Sequence, residues 1–595
     1  MPLVPSGSFY VGRLPGLPPV ENGREFQVLA GYLPAREAVG NGAPKDNAHL
    51  YFMLHRAMYK PKRRKLVIWL NGGPGCSSFD GSMMEIGAWR FEGDKLKWML
   101  PGGSWNEYAD VLYVDQPVGT GFSYVENRAY ASDLPQVGRE FVFFLKEFVK
   151  AFPEYARQQH SAPGPGGAVD VYIAGESYAG QYIPYITHAL LETHDRMPVH
   201  LAGIAIGNGY MDPKSQAGSE VDLLLENRVW EKNGREHKEI MRQVDACNEA
   251  LKKHAKPRLA YPACDAIMSR VLDISTHNVD GKPYCINSYD VRLVDTSPAC
   301  GMNWPQELAQ VYTYLRQGDV RTALHVDNMH KPEAWVECNS AVGSPIHAHA
   351  ADSDASVTLL PDILQAGVQV LIFAGDKDVM CNYIGLKRMV DRLEWSGHKG
   401  LESAAQDWRI NGELVGTWQS DRNLTYVRVN NASHMVGYDA PLQAHDMMLR
   451  FMDIDMNLAS GTAALNTSTV GLDARILVPD RGKTHVPSHA APPQAALETP
   501  RPSASTPKQQ PAPGAKFDLL GNLFVIALIA AAVGACLWVR RRSRARPGQY
   551  HAVGQYVLGA ENGRGPLRSP PRYPPTERVE MEPFALGDED EELAK

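Results

Sequence analysis

The chain has 595 residues and a formal net charge of −7, with 44% hydrophobic and 21% charged residues. Residues Tyr10 to Ile454 have the composition of a globular protein, with apolar runs set between Gly and Pro positions, so this part can fold around a buried core. The net charge is too small to indicate an electrostatic affinity for nucleic acid, and we expect no nucleic-acid partner.

Five apolar runs, each followed by an unusual polar segment, predict strands of one sheet. In chain order they are KLVIWL before NGGPGCSS, DVLYV before DQPVGTGFSY, VDVYIA before GESYAG, VQVLIFA before GDKDVMCN, and TYVRV before NNASHMVGYD. Helical patterns lie between several of them, such as the one-face spacing of Val137, Phe141, Phe144, Leu145 and Phe148. Strands alternating with helices predict an α/β fold with a mostly parallel central sheet, whose functional groups gather at the carboxyl ends of the strands.

The segment GESYAG places Ser177 on a tight corner between a strand and a helix. Its pattern, Gly-x-Ser-x-Ala-Gly, is close to the nucleophile elbow G-x-S-x-G, in which a strained turn projects the serine oxygen. The backbone N–H after the serine, that of Tyr178, points to where an oxyanion would form. The alternative interpretation is a serine in an ordinary turn between strand and helix.

Asp378 and His434 complete a candidate catalytic triad with Ser177. All three follow predicted strands, and the chain order Ser, Asp, His is that of an α/β-hydrolase. We expect His434 to take the proton of Ser177 and Asp378 to hold the imidazole in the required tautomer. Asp376 is the competing acid, but Asp378 lies deeper in its turn. The alternative is a solvated GDKD turn and a histidine on the surface.

The loop NGGPGCSS supplies the second half of a candidate oxyanion hole. Glycines allow the backbone to approach a substrate closely, and the N–H of Gly73 is the natural partner for the N–H of Tyr178. Pro74 stiffens this loop.

Six segments together resemble the motif set of the serine carboxypeptidase family: WLNGGPGCSS, DQPVGTGFSY, GESYAGQYIP, GNG, GDKDVMCN and ASHMV. The resemblance covers roughly Tyr10 to Ile454, and the set is far more specific than any single motif. It implies an α/β-hydrolase fold with helices on both faces of the sheet and an inserted cap, about residues 212–350, over the pocket. It also implies catalysis without a metal or a cofactor.

The resemblance further assigns Trp69, Asn71, Gly72 and Glu176 to the binding of the substrate's terminal carboxylate. A Glu176 carboxyl that faces another carboxylate should share a proton with it, which raises the apparent pKa of the pair and favours activity at mildly acidic pH. The alternative is that Glu176 makes only a structural hydrogen bond beside the elbow.

Release of a basic residue requires negative charge in the pocket for the leaving residue. The segment FDGSMMEIG places Asp80 and Glu85 just after the carboxylate-binding loop, where they can meet a Lys or Arg side chain. Asp80 is the stronger candidate for contact with the basic side chain, because the alternative interpretation of Glu85 is a structural role that is general to the family.

The last part of the chain changes character. Residues 457–518 are rich in Pro, Ser and Thr and predict an extended stalk. Residues 519–539 carry no charge and are long enough to cross a bilayer as one helix; a buried soluble helix is the alternative. Arginines follow this segment directly, so we expect residues 1–456 to be lumenal and residues 540–595 to be a disordered cytosolic tail.

This orientation requires a signal sequence, and the beginning of the sequence has neither a basic start nor a continuous apolar core. We expect that a first coding segment is missing or that the start is assigned too late. Anchoring by the late apolar segment alone is the alternative.

Eight cysteines, one of them Cys536 in the apolar segment, leave an odd number in an oxidising compartment and predict three disulfides and one free thiol. By resemblance, Cys381 is the unpaired cysteine near the site and Cys76 pairs with Cys338. The other four cysteines allow three pairings, among which the sequence does not choose: Cys247, Cys264, Cys285 and Cys300. Three Asn-x-Ser/Thr sites are compatible with glycosylation: Asn423, Asn431 and Asn466.

With its stalk, span and acidic tail, the chain resembles the membrane-bound members of the family in the late Golgi. The resemblance implies a single-pass type I enzyme of the trans-Golgi network membrane that removes C-terminal Lys and Arg from peptides and proteins after an upstream endoprotease has cut them. An acyltransferase of the same fold and a catalytically silent lumenal binding or sorting protein are the alternatives. The sequence indicates nothing about the oligomeric state.

Overall fold

The computed structural model describes residues 6–19, 26–39, 43–59, 63–99, 102–157, 169–193, 197–454 and 467–476. Its strands are β1 (Tyr10–Val11), β2 (Val28–Pro34), β3 (Ala38–Val39), β4 (Ala43–Pro44), β5 (His49–His55), β6 (Lys65–Leu70), β7 (Trp89–Glu92), β8 (Lys95–Trp98), β9 (Asp110–Asp115), β10 (Asp170–Glu176), β11 (His200–Gly207), β12 (His277–Val279), β13 (Lys282–Asn287), β14 (Asp290–Thr296), β15 (Gln369–Gly375), β16 (Glu394–Trp395), β17 (His398–Lys399), β18 (Gln406–Ile410), β19 (Glu413–Asp421), β20 (Leu424–Val429), β21 (Thr467–Val470) and β22 (Asp473–Ile476).

Its helices are α1 (Leu134–Ala151), α2 (Ala179–Leu191), α3 (Pro213–Gln216), α4 (Ser219–Glu226), α5 (Arg235–Leu251), α6 (Pro262–Ser275), α7 (Leu308–Leu315), α8 (Gly318–Ala323), α9 (Ser340–Ala348), α10 (Leu360–Gln365), α11 (Tyr383–Arg392), α12 (Val436–Asp439) and α13 (Pro441–Phe451). A π-helical turn, Gly81–Glu85, precedes β7.

One sheet of 13 strands forms the centre of the fold, in the order β1-β2-β5-β9-β6-β10-β11-β15-β20-β19-β18-β21-β22. The six strands from β9 to β20 in this order are parallel, and the strands on either side are antiparallel. All five predicted strands, now β6, β9, β10, β15 and β20, belong to the parallel centre and are confirmed. Their carboxyl ends therefore meet at one edge of the sheet.

The sheet is buried on both faces, because its strands alternate between two apolar clusters. In β6, Leu66 and Ile68 join one cluster, and Val67 and Trp69 join the other. The first cluster packs α1, α2, α10 and α11 against the sheet, and the second packs α7, α8 and α13. The five apolar positions of the predicted helix face are all buried on α1. The α/β-hydrolase arrangement with helices on both faces is confirmed.

A long insertion separates β11 from β15, and the predicted cap, residues 212–350, falls within it. The insertion contains the helices α3 to α10 and a three-stranded sheet, β12-β13-β14. Part of it has its own small apolar core, which includes Val221, Ile240, Ile267 and Ile286. Only this part of the insertion has a core of its own, because α7, α8 and α10 pack into the two clusters of the main sheet.

The predicted stalk differs from the structure at one place. Residues 467–476, which composition alone assigns to the stalk, form β21 and β22, and β21 pairs with β18 at the edge of the main sheet. Ser468 and Val470 are buried there, and Ser468 accepts from Arg450 of α13 at 2.9 Å. The physical reason is that the exposed edge of β18 offers unpaired backbone groups, which a short polar strand can satisfy.

The remaining residues of the predicted stalk, the apolar segment 519–539 and the tail 540–595 lie outside the described residues. Among the helices within the described ranges, none is both long and apolar enough to cross a membrane.

Candidate functional site

Ser177 occupies a strained corner between β10 and α2. Its φ is 58°, in the left-handed region that non-glycine residues rarely adopt. Its N–H donates to the carbonyl of Gly207 at the end of β11, and its own carbonyl accepts from the N–H of Tyr210. The corner is crowded, because a Cβ at Gly175 would lie 2.1 Å from the carbonyl oxygen of Leu70. The turn therefore has the geometry of a nucleophile elbow.

Asp378 and His434 form a buried acid–imidazole pair. The distance from Oδ2 of Asp378 to Nδ1 of His434 is 2.8 Å, and both side chains are almost completely buried. Oδ1 of Asp378 accepts from the N–H of Met380. Asp376, the competing acid, instead accepts from the N–H of Asn431 and is more exposed. An Nδ1–H that donates to Asp378 leaves the Nε2 of His434 able to accept a proton.

The segment Gly207–Asn208 connects Ser177 to Asp378. Gly207 accepts the N–H of Ser177 at 3.1 Å, and the side chain of the next residue, Asn208, donates to Oδ2 of Asp378 at 2.8 Å. The strands β10, β11 and β15, which lead to these residues, are neighbours in the sheet. The ring of Tyr289, from the insertion, lies 4.9 Å from that of His434, centre to centre.

The glycine loop after β6 packs directly on the elbow. A Cβ at Gly72 would lie 2.5 Å from the nitrogen of Tyr178 and 2.8 Å from Cβ of Ser177. Only glycine fits here, so the backbone of the loop approaches the serine closely. Gly73, which follows, has a φ of 106°. The loop therefore brings the two predicted oxyanion-hole residues, Gly73 and Tyr178, to the same corner.

A cluster around Asn71 joins the predicted carboxylate-binding residues. Nδ2 of Asn71 lies 3.0 Å from Oε1 of Glu176 and 3.2 Å from Oε1 of Glu85. Its Oδ1 accepts from Nε1 of Trp69 at 2.7 Å and from the N–H of Gly81 at 3.0 Å. The amide orientation is therefore determined, with its N–H groups directed at the two carboxyls.

The carboxyls of Glu176 and Glu85 hydrogen-bond each other. Burial, followed by the charge of Glu85, raises the pKa of Glu176 well above its usual range. Burial also raises the pKa of Glu85, although less, because hydrogen bonds from Glu176 and Asn71 favour its ionised form. Of these two coupled carboxyls, Glu176 therefore has the more strongly raised pKa.

Asp80 is the other buried acid of this loop. It lies just before the π-helical turn, is 3% exposed, and its Oδ1 has no hydrogen-bond partner. Burial, followed by the charges of Glu337 and Glu85, raises the pKa of Asp80 well above its usual range. Asp80 and Glu85 differ in one respect: Oε1 of Glu85 accepts from Asn71, although Oε2 of Glu85, like Oδ1 of Asp80, has no hydrogen-bond partner.

Cys76 and Cys338 form a disulfide that links the glycine loop to the insertion. Within the insertion, Cys247 pairs with Cys264 and Cys285 with Cys300, which decides among the three pairings that the sequence allows. Cys381 is free and buried, and burial raises the pKa of its thiol. Its N–H donates to Oδ2 of Asp378 at 3.1 Å. Of the glycosylation candidates, Asn423 and Asn431 are exposed, and Asn466 lies outside the described residues.

Sequence reasoning did not assign a role to three residues that the structure places at the site: Asn208, Tyr289 and Glu337. Asn208 had two signals: it lies in the GNG segment quoted above, and it follows the apolar run LAGIAIG, just as the other polar residues follow their strands. Tyr289 and Glu337 come from the insertion, where no strand end marks them. Glu337 directly precedes Cys338. The expected pairing of Cys338 with Cys76 was therefore the only sequence feature that could have placed Glu337 near the glycine loop.

The chain is similar to known proteins of one family. The family model for serine carboxypeptidases matches residues 15–454. The pheromone-processing carboxypeptidase KEX1 of Coprinopsis cinerea is 39% identical over 546 residues, which cover 90% of this chain and 83% of that protein. The protein of the same name from Tuber melanosporum is 37% identical, and the match covers 92% of this chain and 84% of that one.

The solved structures include a similar protein. The crystal structure of KEX1(delta)P, a prohormone-processing carboxypeptidase from Saccharomyces cerevisiae, matches with a TM-score of 0.67 and 30% sequence identity, and covers 76% of this chain and 97% of that one. The family resemblance seen in the motifs is thereby confirmed. The chain belongs to the serine carboxypeptidase family and is a serine-type carboxypeptidase with an α/β-hydrolase fold.

Proposed function

We propose that this protein releases C-terminal Lys and Arg from peptides, with Ser177 as nucleophile, His434 as general base and Asp378 as the acid that orients the base. The observation that carries the proposal is the 2.8 Å contact between Asp378 and His434, buried at the sheet edge where Ser177 holds a φ of 58°. A buried carboxylate on Nδ1 selects the tautomer that a base needs and stabilises the imidazolium that forms.

In the first step, Oγ of Ser177 attacks the carbonyl carbon of the last peptide bond, and its proton moves to Nε2 of His434. The N–H groups of Gly73 and Tyr178 stabilise the oxyanion of the tetrahedral intermediate. The imidazolium then gives its proton to the leaving amine, which departs as the free amino acid and leaves an ester on Ser177. Water, deprotonated by His434, hydrolyses this ester and restores the enzyme.

Restriction to the last residue comes from the cluster of Trp69, Asn71, Gly72 and Glu176, which binds the terminal carboxylate. The N–H groups of the Asn71 amide face this cluster, and the protonated Glu176 can donate to a carboxylate oxygen. An internal peptide bond has no carboxylate at this position and loses these charge-assisted hydrogen bonds. The arrangement therefore favours an exopeptidase over an endopeptidase.

Preference for a basic residue is assigned to Asp80 and Glu85, the acids that follow the glycine loop. Asp80 is the stronger of the two, because Glu85 already accepts a hydrogen bond from Asn71, whereas a cation at the unsatisfied Oδ1 of Asp80 would compete with no such bond. The names of the similar proteins, pheromone-processing and prohormone-processing carboxypeptidases, support a substrate of this class. Trimming of peptide precursors also agrees with the proposed lumenal position and with a type I anchor at residues 519–539 in the trans-Golgi network.

The test is release of the last residue from matched peptides that end in Lys, Arg, Leu or Phe and are otherwise identical. We expect kcat/KM for Lys and Arg to exceed that for Leu and Phe, and Ser177→Ala to release nothing. Amidated peptides, which lack the terminal carboxylate, serve as the control for the exopeptidase assignment. Equal rates for all four endings would refute the basic preference, and release that survives Ser177→Ala would refute the mechanism.

A further inference from the structure

A cavity lies at the amino ends of β15 and β20, whereas the catalytic residues follow the carboxyl ends of their strands. Its volume is about 360 Å³, within the range of about 300–1,000 Å³ that is usual for small-molecule sites. The lining combines aromatic and polar side chains, among them Trp418, Phe451, Gln369, Ser420, Asn423 and Thr425. The proposed mechanism uses no residue of this lining, so the cavity is separate from the catalytic site.

Asn423 both lines the cavity and begins the glycosylation triplet Asn423-Leu424-Thr425. It is exposed and lies in the two-residue turn between β19 and β20, with a φ of 66° that asparagine tolerates better than most residues. Its carbonyl accepts from the N–H of Val370 at 2.8 Å, which fixes the turn to the sheet. A glycan attached to Nδ2 of Asn423 would therefore begin at the rim of the cavity.

Trp418 supplies an apolar surface beside this triplet. Its Nε1–H donates to Oγ of Ser420 at 2.9 Å, and that hydroxyl lies 2.7 Å from Oγ1 of Thr425. Because the indole N–H is satisfied, the half-buried ring offers a ligand its apolar surface. An aromatic ring among polar side chains suits a sugar, which carries both C–H groups and hydroxyls.

The charges of the lining already compensate one another. Arg422 pairs with Asp421 at 3.0 Å, and Asp473 pairs with Arg450 at 3.1 Å and with Arg475 at 3.2 Å. A charged ligand would have to compete with these ion pairs. A neutral ligand rich in hydroxyl groups can instead add hydrogen bonds to the same carboxylates and guanidinium groups.

Another wall of the cavity belongs to the β21–β22 hairpin. Three lining residues come from this hairpin: Val470, Asp473 and Arg475. The hairpin is held by the pairing of β21 with β18 and by Arg450, which donates to Ser468 and Asp473. A sugar in the cavity would contact both the turn at Asn423 and the hairpin. Since such a ligand binds only the docked hairpin, it would stabilise the docked state.

We propose that the cavity binds the first sugar of an N-linked glycan on Asn423, and that this contact holds the β21–β22 hairpin against the sheet. In the modification, Nδ2 of Asn423 forms a bond to the anomeric carbon of the sugar. The bond from that carbon to the lipid diphosphate of the oligosaccharide donor breaks, and the amide loses one proton. The inference rests on the proposed lumenal position of the chain and is independent of the proposed peptide specificity.

The experiment uses the full chain, made with a signal peptide in a yeast secretory host and trimmed with endoglycosidase H, which leaves a single N-acetylglucosamine on each occupied asparagine. Peptide mapping should find this sugar on Asn423. Asn423→Asp removes the acceptor but keeps a residue that tolerates the left-handed region. We expect the amides of residues 467–476 to exchange hydrogen roughly tenfold faster in this variant than in the trimmed wild type.

Asn431→Asp is the matched control. Asn431 is also an exposed asparagine of a glycosylation triplet with a positive φ, 60°, but it does not line the cavity. It follows the carboxyl end of β20, roughly 20 Å along the strand from Asn423. Its replacement should leave the exchange of residues 467–476 unchanged, and peptide release by each variant checks that it is folded.

Trp418→Ala tests the contact itself. It should accelerate hairpin exchange much more in the glycosylated protein than in the Asn423→Asp background, because the two changes remove one interaction. Additive effects would show that the sugar does not bind this cavity. A chain without sugar on Asn423, or equal hairpin exchange in the trimmed wild type and Asn423→Asp, would also overturn the inference. Peptides that end in Lys, Arg, Leu or Phe test the proposed function separately on the same preparation, and equal rates would refute that function alone.

Discussion

Asn208 donates from Nδ2 to the same Oδ2 of Asp378 that contacts His434, and both distances are 2.8 Å. Its Oδ1 accepts from the N–H of Gly375 at the end of β15, so Asn208 ties the acid to the end of the strand that carries it. Asn208 therefore sets the direction of the Asp378 carboxylate, which makes it a positioning residue in the proposed mechanism.

Replacing Asn208 should therefore slow the chemical step. Asn208 has a φ of 40°, which glycine tolerates, so Asn208→Gly removes the side chain without straining the backbone. We expect kcat to fall roughly ten- to a hundredfold with little change in KM, because a hydrogen bond to a charged group contributes about 1.5–3 kcal/mol. Steady-state kinetics measures the split. Asn227→Ala, in the insertion, is the control, and a change confined to KM would contradict the positioning role.

The strain at Ser177 predicts a difference between two inactive variants. A non-glycine residue in the left-handed region destabilises the folded state by about 1–2 kcal/mol. Glycine avoids this cost, but part of the gain is lost because glycine has more conformational entropy in the unfolded chain. We expect Ser177→Gly to have a free energy of unfolding about 0.5–1 kcal/mol higher than Ser177→Ala. Urea unfolding of both proteins at one pH measures it. Equal stabilities would show that the φ of 58° stores no strain.

The raised pKa of Glu176 predicts the alkaline limb of the activity profile. In the proposed binding mode, the protonated form of Glu176 donates to the substrate carboxylate. Because the pKa of Glu176 is raised, this donor is present at acidic pH and is lost as the pH rises through the raised pKa. Glu176→Gln keeps an N–H donor at every pH. We expect the kcat/KM of this variant to be lower at its best pH but to decline less on the alkaline side. An unchanged alkaline decline, measured across the same series of buffers, would assign that limb to another group.

The buried Glu337 predicts how stability depends on pH. Burial raises its pKa from 4.5 to about 8, so between these values the folded protein holds a proton that the unfolded chain has released. Stability contributed by this group is therefore fully present below the lower value and decreases as the pH rises through the window. Glu337→Gln cannot titrate, and its Tm should decline less than that of the wild type between about pH 5 and pH 8. Parallel Tm curves would contradict this assignment.

The candidate triad could be predicted because its signals are local. Ser177, Asp378 and His434 each follow an apolar run, and the carboxyl ends of parallel strands meet at one edge whatever the length of chain between them. Asn208 obeys the same rule after β11, so the same argument applied to LAGIAIG would have found it. The assignment of residues 467–476 to the stalk could not be avoided from composition, because composition does not reveal that β18 has a free edge with which these residues can pair.

By itself, the sequence determined the chain order of the candidate triad, the glycine loop expected to approach the serine, and the family. Only the tertiary structure decided which groups share an environment. Asn71 bonds both Glu85 and Glu176, and the charges of Glu337 and Glu85 act on Asp80 beside a disulfide that closes 262 residues of chain. The physical reason is that the ionisation of a carboxyl depends on its burial and on the few groups within hydrogen-bonding or short Coulombic range. Strand periodicity depends on residues that are adjacent in the sequence, whereas the environment of a buried carboxyl depends on residues from segments far apart in the chain.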